Sequence, residues 1–317
     1  MTIAMKLVDK PVLIASGFIV VVLGIGSTIN ASFISPAYLL QQLQVASFLG
    51  IMAAGMMLVI LLGQIDLSLP WTVTTGAMMA TAVAPLGPWG DALAIPAGML
   101  CGFAIGVVNG LGYANLRIPS MIFTLGMNAV LQGLMVLYTG GFAPQTHATP
   151  LMQLLAVHKS LFGIPNALLV WIAITLALAL TLRITPFGRY VYAIGNKESA
   201  AYLSGVRTRT VIVGCFAING VTAALGGVML TGYSTKAYQG MGDAYLLPAI
   251  AAIVLGGTNI LGGKGQYIGT VVGVILIVLL QSMLSVMQMP EAGRQIIYGV
   301  VIVVMLLVYG RGAKVHS

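Results

Sequence analysis

Arg183, Arg189, Lys197, Glu198, Arg207 and Arg209 crowd into one stretch of an otherwise apolar chain. Five of the fourteen Lys and Arg residues lie there, between two long apolar runs. A membrane-embedded chain that gathers its charge in one loop presents that loop to a soluble partner. Catalytic groupings are missing. No HExxH, no GxSxG and no Cys/His cluster at metal spacing occurs, and His147, His158 and His316 fall in loops or the tail. An intramembrane hydrolase or a haem protein is therefore not indicated. The glycine-rich run 255–265 has the look of a phosphate loop but fails as one. Thr258 stands where the first Gly is required, and Gly265 replaces the Ser or Thr that would hold Mg²⁺.

The six acids are as informative as the bases. Asp9, Asp66, Asp91, Glu198, Asp243 and Glu291 all map to loops or span edges. An ion-coupled carrier needs an ionisable group near the membrane centre, and no acid is placed mid-helix. A transporter without that group and without a nucleotide site takes its energy from another subunit. A channel remains open as an alternative, although it has no need of an elaborate charged loop.

The elements that must position these residues follow from composition. With 59% hydrophobic and 6% charged residues and a mean hydropathy of +1.03, the chain is an all-α polytopic membrane protein; a soluble domain carries about 25% charged residues. The net charge of +8 reflects loop lysines and arginines that orient membrane proteins, not nucleic-acid binding. Cys101 and Cys215 fall inside apolar runs and are expected as buried thiols. Apolar spans lie near 11–30, 40–63, 68–86, 92–116, 119–139, 164–183, 209–232, 245–262, 267–289 and 293–310. That is about ten transmembrane helices. The first is too long for a signal peptide. The third and eighth are short and hold Gly or Pro, as broken segments do.

Ten spans put both termini on one side. With the N-terminus inside, Lys6, Lys10, Arg117, Arg183, Arg189, Lys197, Arg207, Arg209, Lys264, Arg311 and Lys314 are cytoplasmic, against Lys159, Lys236 and Arg294 outside. The termini and the charged loop are thus expected in the cytoplasm. Gly98, Gly102, Gly106 and Gly110, continued by Ala114, form one small-residue face; Gly265, Gly269 and Gly273 form another. Such faces let helix backbones approach closely. Spans 2–5 and 7–10 run in opposite senses, as inverted repeats do.

Within the charged loop, about 184–208, residues 196–204 read as a short helix with Asn196 as N-cap, Glu198 at its positive start and Gly205 at C′. It suits either a groove on a partner or a plain connection. Asp66, at the cytoplasmic end of the second span, either caps the third helix or gates the pathway. Asn128, Gln132, Asn219 and Gln281 either line a pathway or bond helix to helix.

Four stretches carry a resemblance. Thr185-Pro-Phe-Gly188-Arg189-Tyr-Val-Tyr-Ala-Ile-Gly-Asn196, then Ala200-Ala201-x-x-Ser-Gly205, resembles the coupling loop of permease subunits of ribose-type ABC sugar importers. Gly63-Gln-Ile-Asp66-Leu-Ser68, Ile118-Pro-Ser120-Met-Ile-Phe-Thr124-Leu-Gly126 and the run from Ile250 to Thr270 resemble three further elements of that family, in order and at fitting separations. Gln64 replaces a family Gly, and Leu246-Leu247-Pro248 lacks the acid often found before Ile250; both bear on substrate identity. The resemblance implies that residues 1–317 form one transmembrane permease domain in the bacterial inner membrane. It implies a second permease chain, a cytoplasmic ABC ATPase and a periplasmic sugar-binding protein as partners. It implies no cofactor in this chain, with ATP and Mg bound by the ATPase, and Gly188, Arg189, Asn196, Ala200, Ala201 and Gly205 as coupling residues. A stand-alone carrier or channel, or an ABC permease for nucleosides or branched-chain amino acids, is the alternative.

Overall fold

Each of the ten apolar runs folds as a helix at its expected place in a computed structural model, which describes residues 10–141 and 147–312. Lys6, Asp9, Lys314 and His316 lie outside the described residues. The spans are α1 (Lys10–Ile29), α2 (Pro36–Leu61), α3 (Leu69–Val83), α4 (Gly90–Leu116) and α5 (Ser120–Thr139). A short α6 (Pro150–Ala156) and a hairpin of β1 (Lys159–Leu161) and β2 (Ile164–Pro165) precede α7 (Asn166–Ile184). The charged loop contains α8 (Pro186–Asn196) and α9 (Glu198–Leu203). Then come α10 (Thr208–Ser234), α11 (Leu246–Leu255), α12 (Tyr267–Val286) and α13 (Glu291–Gly312).

One local signal starts three of these helices. Ser35-Pro36, Thr149-Pro150 and Thr185-Pro186 each place a hydroxyl at the N-cap and proline at the first helical position. The hydroxyls accept from the N–H groups of Tyr38, Met152 and Gly188, and the proline removes a donor the helix start could not satisfy. Among the described residues, seven helices are long and apolar enough to cross a membrane. With 15 and 10 residues, α3 and α11 reach only about 22 and 15 Å, against about 30 Å of hydrocarbon. These are the two spans expected to be broken.

The core is built around α2, of whose most apolar window 89% is buried. It packs antiparallel to α10: Gly55 lies against Asn219 and Thr222, and Met52 against Gly226. Across the other face of α10 runs α4, backbone to backbone, with Gly102 against the Gly220 carbonyl and Gly106 against the Phe216 carbonyl. A Cβ has no place at either position, so the small-residue face is a seam, as its spacing predicts. The second face is shorter than expected: Gly269 and Gly273 press on Gly256 and Ala252 of the α11 region, whereas Gly265 precedes α12 and packs on Thr258. Two runs of four helices, α2–α5 and α10–α13, share the order long, short, long, long (26, 15, 27 and 20 residues against 27, 10, 20 and 22). They start from the antiparallel pair α2 and α10, the sense an inverted repeat requires.

Candidate functional site

The charged loop is two helices, not one. Thr185 caps α8 and its own hydroxyl donates to Thr181 O at 2.7 Å, which folds α8 back against the end of α7. Gly188 sits on the Leu182 and Thr181 carbonyls with no room for a side chain. Val191 and Ile194 bury into the bundle. Asn196 is the last residue of α8 and does not cap α9: its amide donates to Tyr192 O at 2.9 Å, and α9 has Lys197 at its N-cap position, with no side-chain cap bond. The Thr-Pro start lies inside the charged stretch and moves the first helix ten residues upstream of the one read from sequence.

The far end of α9 behaves as expected. Gly205 has φ +84. Its N–H donates to Tyr202 O at 3.0 Å and the Val206 N–H to Ala201 O at 3.1 Å, the paired bonds that close a helix through a left-handed glycine. Ala201 is 5% exposed and packs inside the chain, so its small size is required by α8 and α10. The outward face is Ala200, Tyr202 and Leu203, the last two 67% and 84% exposed.

An ion pair holds this segment to the bundle: Arg117 Nη1 lies 2.9 Å from Glu198 Oε1, and Tyr113 OH donates to Glu198 Oε2 at 3.4 Å. Both partners reach water, so the pair adds at most about 1 kcal/mol and serves to orient α9. Beside it opens a cleft of about 910 Å³, lined by Arg117, Glu198, Tyr202, Arg207 and Arg209 among others. Among the described residues Arg189, Lys197, Arg207 and Arg209 make no ion pair.

Asp66 is not at an exposed membrane edge. It is 2% exposed and sits in the break between α2 and α3. Its Oδ1 accepts from the Ser68 N–H at 2.9 Å and the Ser68 hydroxyl at 2.6 Å, and its Oδ2 from Asn219 Nδ2 at 2.8 Å. Asn109 Nδ2 donates to Ser68 Oγ at 2.8 Å and stands 3.5 Å from both carboxylate oxygens. Ser68, not Asp66, holds the N-cap position of α3. All of these partners are neutral. The carboxylate joins the break to α4 through Asn109 and to α10 through Asn219.

A polar ladder on α5 completes the break. Ser120, Thr124 and Asn128 recur every four residues, one above another on a helix face. They accept, in turn, from the N–H groups of Ile65 at 3.4 Å, Leu67 at 2.9 Å and Trp71 at 3.4 Å. Amides at a helix start have no partner within the helix; here a neighbouring helix supplies them.

Of the polar residues read as pathway or glue, Asn128 and Asn219 thus bond to other helices. Gln132 is exposed on α5, and Gln281 is half-buried on α12. Sequence reasoning missed Asn109, and held Ser120, Thr124 and Tyr192 only as members of motifs, with no role of their own. Asn109 had one usable signal, since it shares the face of Gly106 and Gly110 that packs on α10.

A sequence profile described as branched-chain amino acid transport system / permease component matches residues 38–306. A ribose import permease protein of Haemophilus influenzae is 35% identical over 294 residues, which cover 91% of this chain and 90% of that protein. A ribose import permease protein of Bacillus subtilis is 33% identical, covering 92% of this chain and 89% of that protein. An autoinducer 2 import system permease protein of Yersinia enterocolitica is 34% identical, covering 84% and 73%. No solved structure matches the chain.

Proposed function

The chain belongs to the family of branched-chain amino acid transport system / permease components, and on that premise we propose that it is the membrane subunit of an ATP-driven importer for a ribose-like monosaccharide. It is a transport permease and not an enzyme. Full-length relatives named as ribose import permeases favour a sugar over the branched-chain amino acid of the family description, which is the second reading. Residues 1–317 act as a single permease domain in the inner membrane. The partners are a cytoplasmic ATPase that binds ATP and Mg, a second permease chain and a periplasmic sugar-binding protein.

One observation carries the ATPase reading: α9 stands out from the bundle with Tyr202 and Leu203 exposed, beside a cleft whose Arg207 and Arg209 carry no internal partner among the described residues. An apolar knob flanked by unpaired cations fits a groove lined with carboxylates on a soluble subunit. Gly188, Asn196, Ala201 and Gly205 shape this segment; Arg189 and Ala200 belong to its outward surface. The argument from a missing coupling acid takes a narrower form. Asp66 is buried in the fold, yet its neutral partners give it a structural load, and a gating role for it would act through the α2–α3 break. Gln132 and Gln281 are the polar residues assigned to the pathway.

Reconstitution tests the reading. Vesicles holding this chain and its partner ATPase are expected to accumulate sugar only with ATP inside and loaded binding protein outside. Downhill movement by this chain alone overturns it in favour of a stand-alone carrier. Retention of a branched-chain amino acid instead of a sugar by the partner binding protein selects the second reading. Orientation has its own test. In spheroplasts, an impermeant thiol reagent is expected to label Ser160→Cys in the hairpin but not Ser199→Cys on α9. The reverse pattern inverts the topology.

A further inference from the structure

Coupling requires that movement of the α8–α9 segment reach the helices that line the pathway, and α8 has two routes. One is along the chain, through α7 and α10. The other is lateral, at the last turn of α8, where three segments distant in sequence meet backbone to backbone. These are residues 192–196, the break at 62–68 that opens α3, and the break at 256–266 that opens α12.

The contacts at this junction are direct. The Gly263 N–H donates to the Leu61 carbonyl at 2.9 Å, which ties the second break to the last residue of α2. Gly195 sits against that same carbonyl; a Cβ there would meet it, and would lie 2.6 Å from the Gly263 nitrogen. Gly262, at φ +89, presses on Gly63 and on the Gly195 carbonyl. Two side chains of α8 then reach across. Tyr192 OH donates to Gly265 O at 2.8 Å, and Asn196 Nδ2 points at Gly263 O at 3.5 Å. The 256–266 segment is itself closed, with the Asn259 N–H on Lys264 O at 2.8 Å and the Leu261 N–H on Asn259 Oδ1 at 3.1 Å, so it moves as a unit. Burial pushes the Tyr192 phenol further above its ordinary range, and a phenol is in any case protonated, and so a donor, at neutral pH.

We infer that the last turn of α8 is the transmission contact of the permease. Tyr192 and Asn196 act as positioning residues that fix the 256–266 break to the coupling segment, and that break carries the start of α3 with it through the Gly262–Gly63 and Gly263–Leu61 contacts, so that α3 and α12 follow α8 without relay through α7 or α10. The inference rests on the coupling reading above. Interiors packed at this density transmit displacement and do not absorb it, and a backbone-to-backbone junction leaves no side chain to rearrange. Polar bonds at its rim then decide whether the surfaces move together or slip.

The test uses the complete importer in vesicles, with Tyr192→Phe, Asn196→Ala and the pair, and Tyr190→Phe as control. Tyr190 lies on the same helix and is 41% exposed. The readouts are ATPase retained per permease, ATP hydrolysis with and without loaded binding protein, and sugar moved per ATP. We expect retention and basal hydrolysis at the unmodified level in Tyr192→Phe and in the control. Sugar moved per ATP should fall at least about tenfold in the pair and about threefold in Tyr192→Phe, with no change in the control. A merely structural role would lower abundance and all rates together, leaving that ratio unchanged; this outcome overturns the inference. So does an unchanged ratio in well-folded Tyr192→Phe, which deletes one oxygen and keeps the fold if the pair does not. Loss of ATPase retention in Tyr192→Phe also overturns it, because the residue would then act in docking. If the unmodified chain neither retains nor stimulates the ATPase, the coupling reading falls instead.

Discussion

A Leu203→Asp permease is expected to accumulate to normal levels yet lose its ATPase on purification and lose ATP-driven uptake. Leu203 is 84% exposed on the last turn of α9, so its replacement removes no internal packing; surface changes of this kind stay within about 0.5 kcal/mol of folding stability. At an interface the same residue is an apolar anchor. Truncating such anchors costs about 2 kcal/mol or more, roughly thirtyfold in affinity, and a carboxylate opposite acidic groups adds repulsion. Co-purification and uptake assays check both halves. Full ATPase retention with full uptake would reduce α9 to a connector. Ala201→Glu and Gly205→Val ask a different question. The first puts a charge where 5% of the residue is exposed, and the second puts a β-branched residue at φ +84. Both are expected to deform the segment itself, so their loss of uptake reports on its shape.

Asp66→Ala is expected to strike the fold. Without the carboxylate, the Ser68 N–H and hydroxyl and the Asn219 amide lose their acceptor in a site without water access. Each unsatisfied donor costs about 1–3 kcal/mol. Detergent-solubilised Asp66→Ala protein should melt at least about 5 °C below the unmodified protein and be recovered in lower yield. Asp66→Asn keeps one acceptor oxygen and the shape of the site and should melt in between. Asp66→Asn with an unchanged melting temperature but no uptake would point to gating as its main role; an unchanged melting temperature in Asp66→Ala would refute the structural role altogether.

What could be read from the sequence divides along one physical line. The helices follow from runs of apolar residues, a local property; nine lie within a few residues of their expected bounds, and α11 stops at Leu255, seven residues short of the expected 262. The Gly98–Gly110 seam follows from spacing on one helix, and Gly205 from the chemistry of a helix end. Features made by residues far apart in the chain were not legible. Asp66 meets Asn109 and Asn219 only because the glycine seam brings α4 and α10 together beneath the break. Nothing near Asp66 distinguishes a buried carboxylate from an exposed cap. Asn196 misled for the same reason: beside Glu198 it has the composition of an N-cap, but its amide is drawn to Tyr192 O and towards Gly263. Ser120 and Thr124 were visible as part of a motif, while their duty to the amides of Ile65 and Leu67 required the neighbouring helix.

The burial of α2 has a consequence for biosynthesis. Its most apolar window is 89% buried, against 22% for α1, α5 and α7, so it touches the least lipid of these, yet from Phe48 to Leu61 it carries no polar side chain. A helix destined for a protein interior could tolerate many paired polar groups. Helices of a membrane protein, however, become stable in lipid one by one before they associate. When α2 leaves the ribosome, α10 and α12 have not been made, and hydrocarbon is the solvent it first meets. Its composition is therefore selected for a transient environment, and a polar residue at Met52 or Met56 would fail at insertion, before any packing defect could be felt.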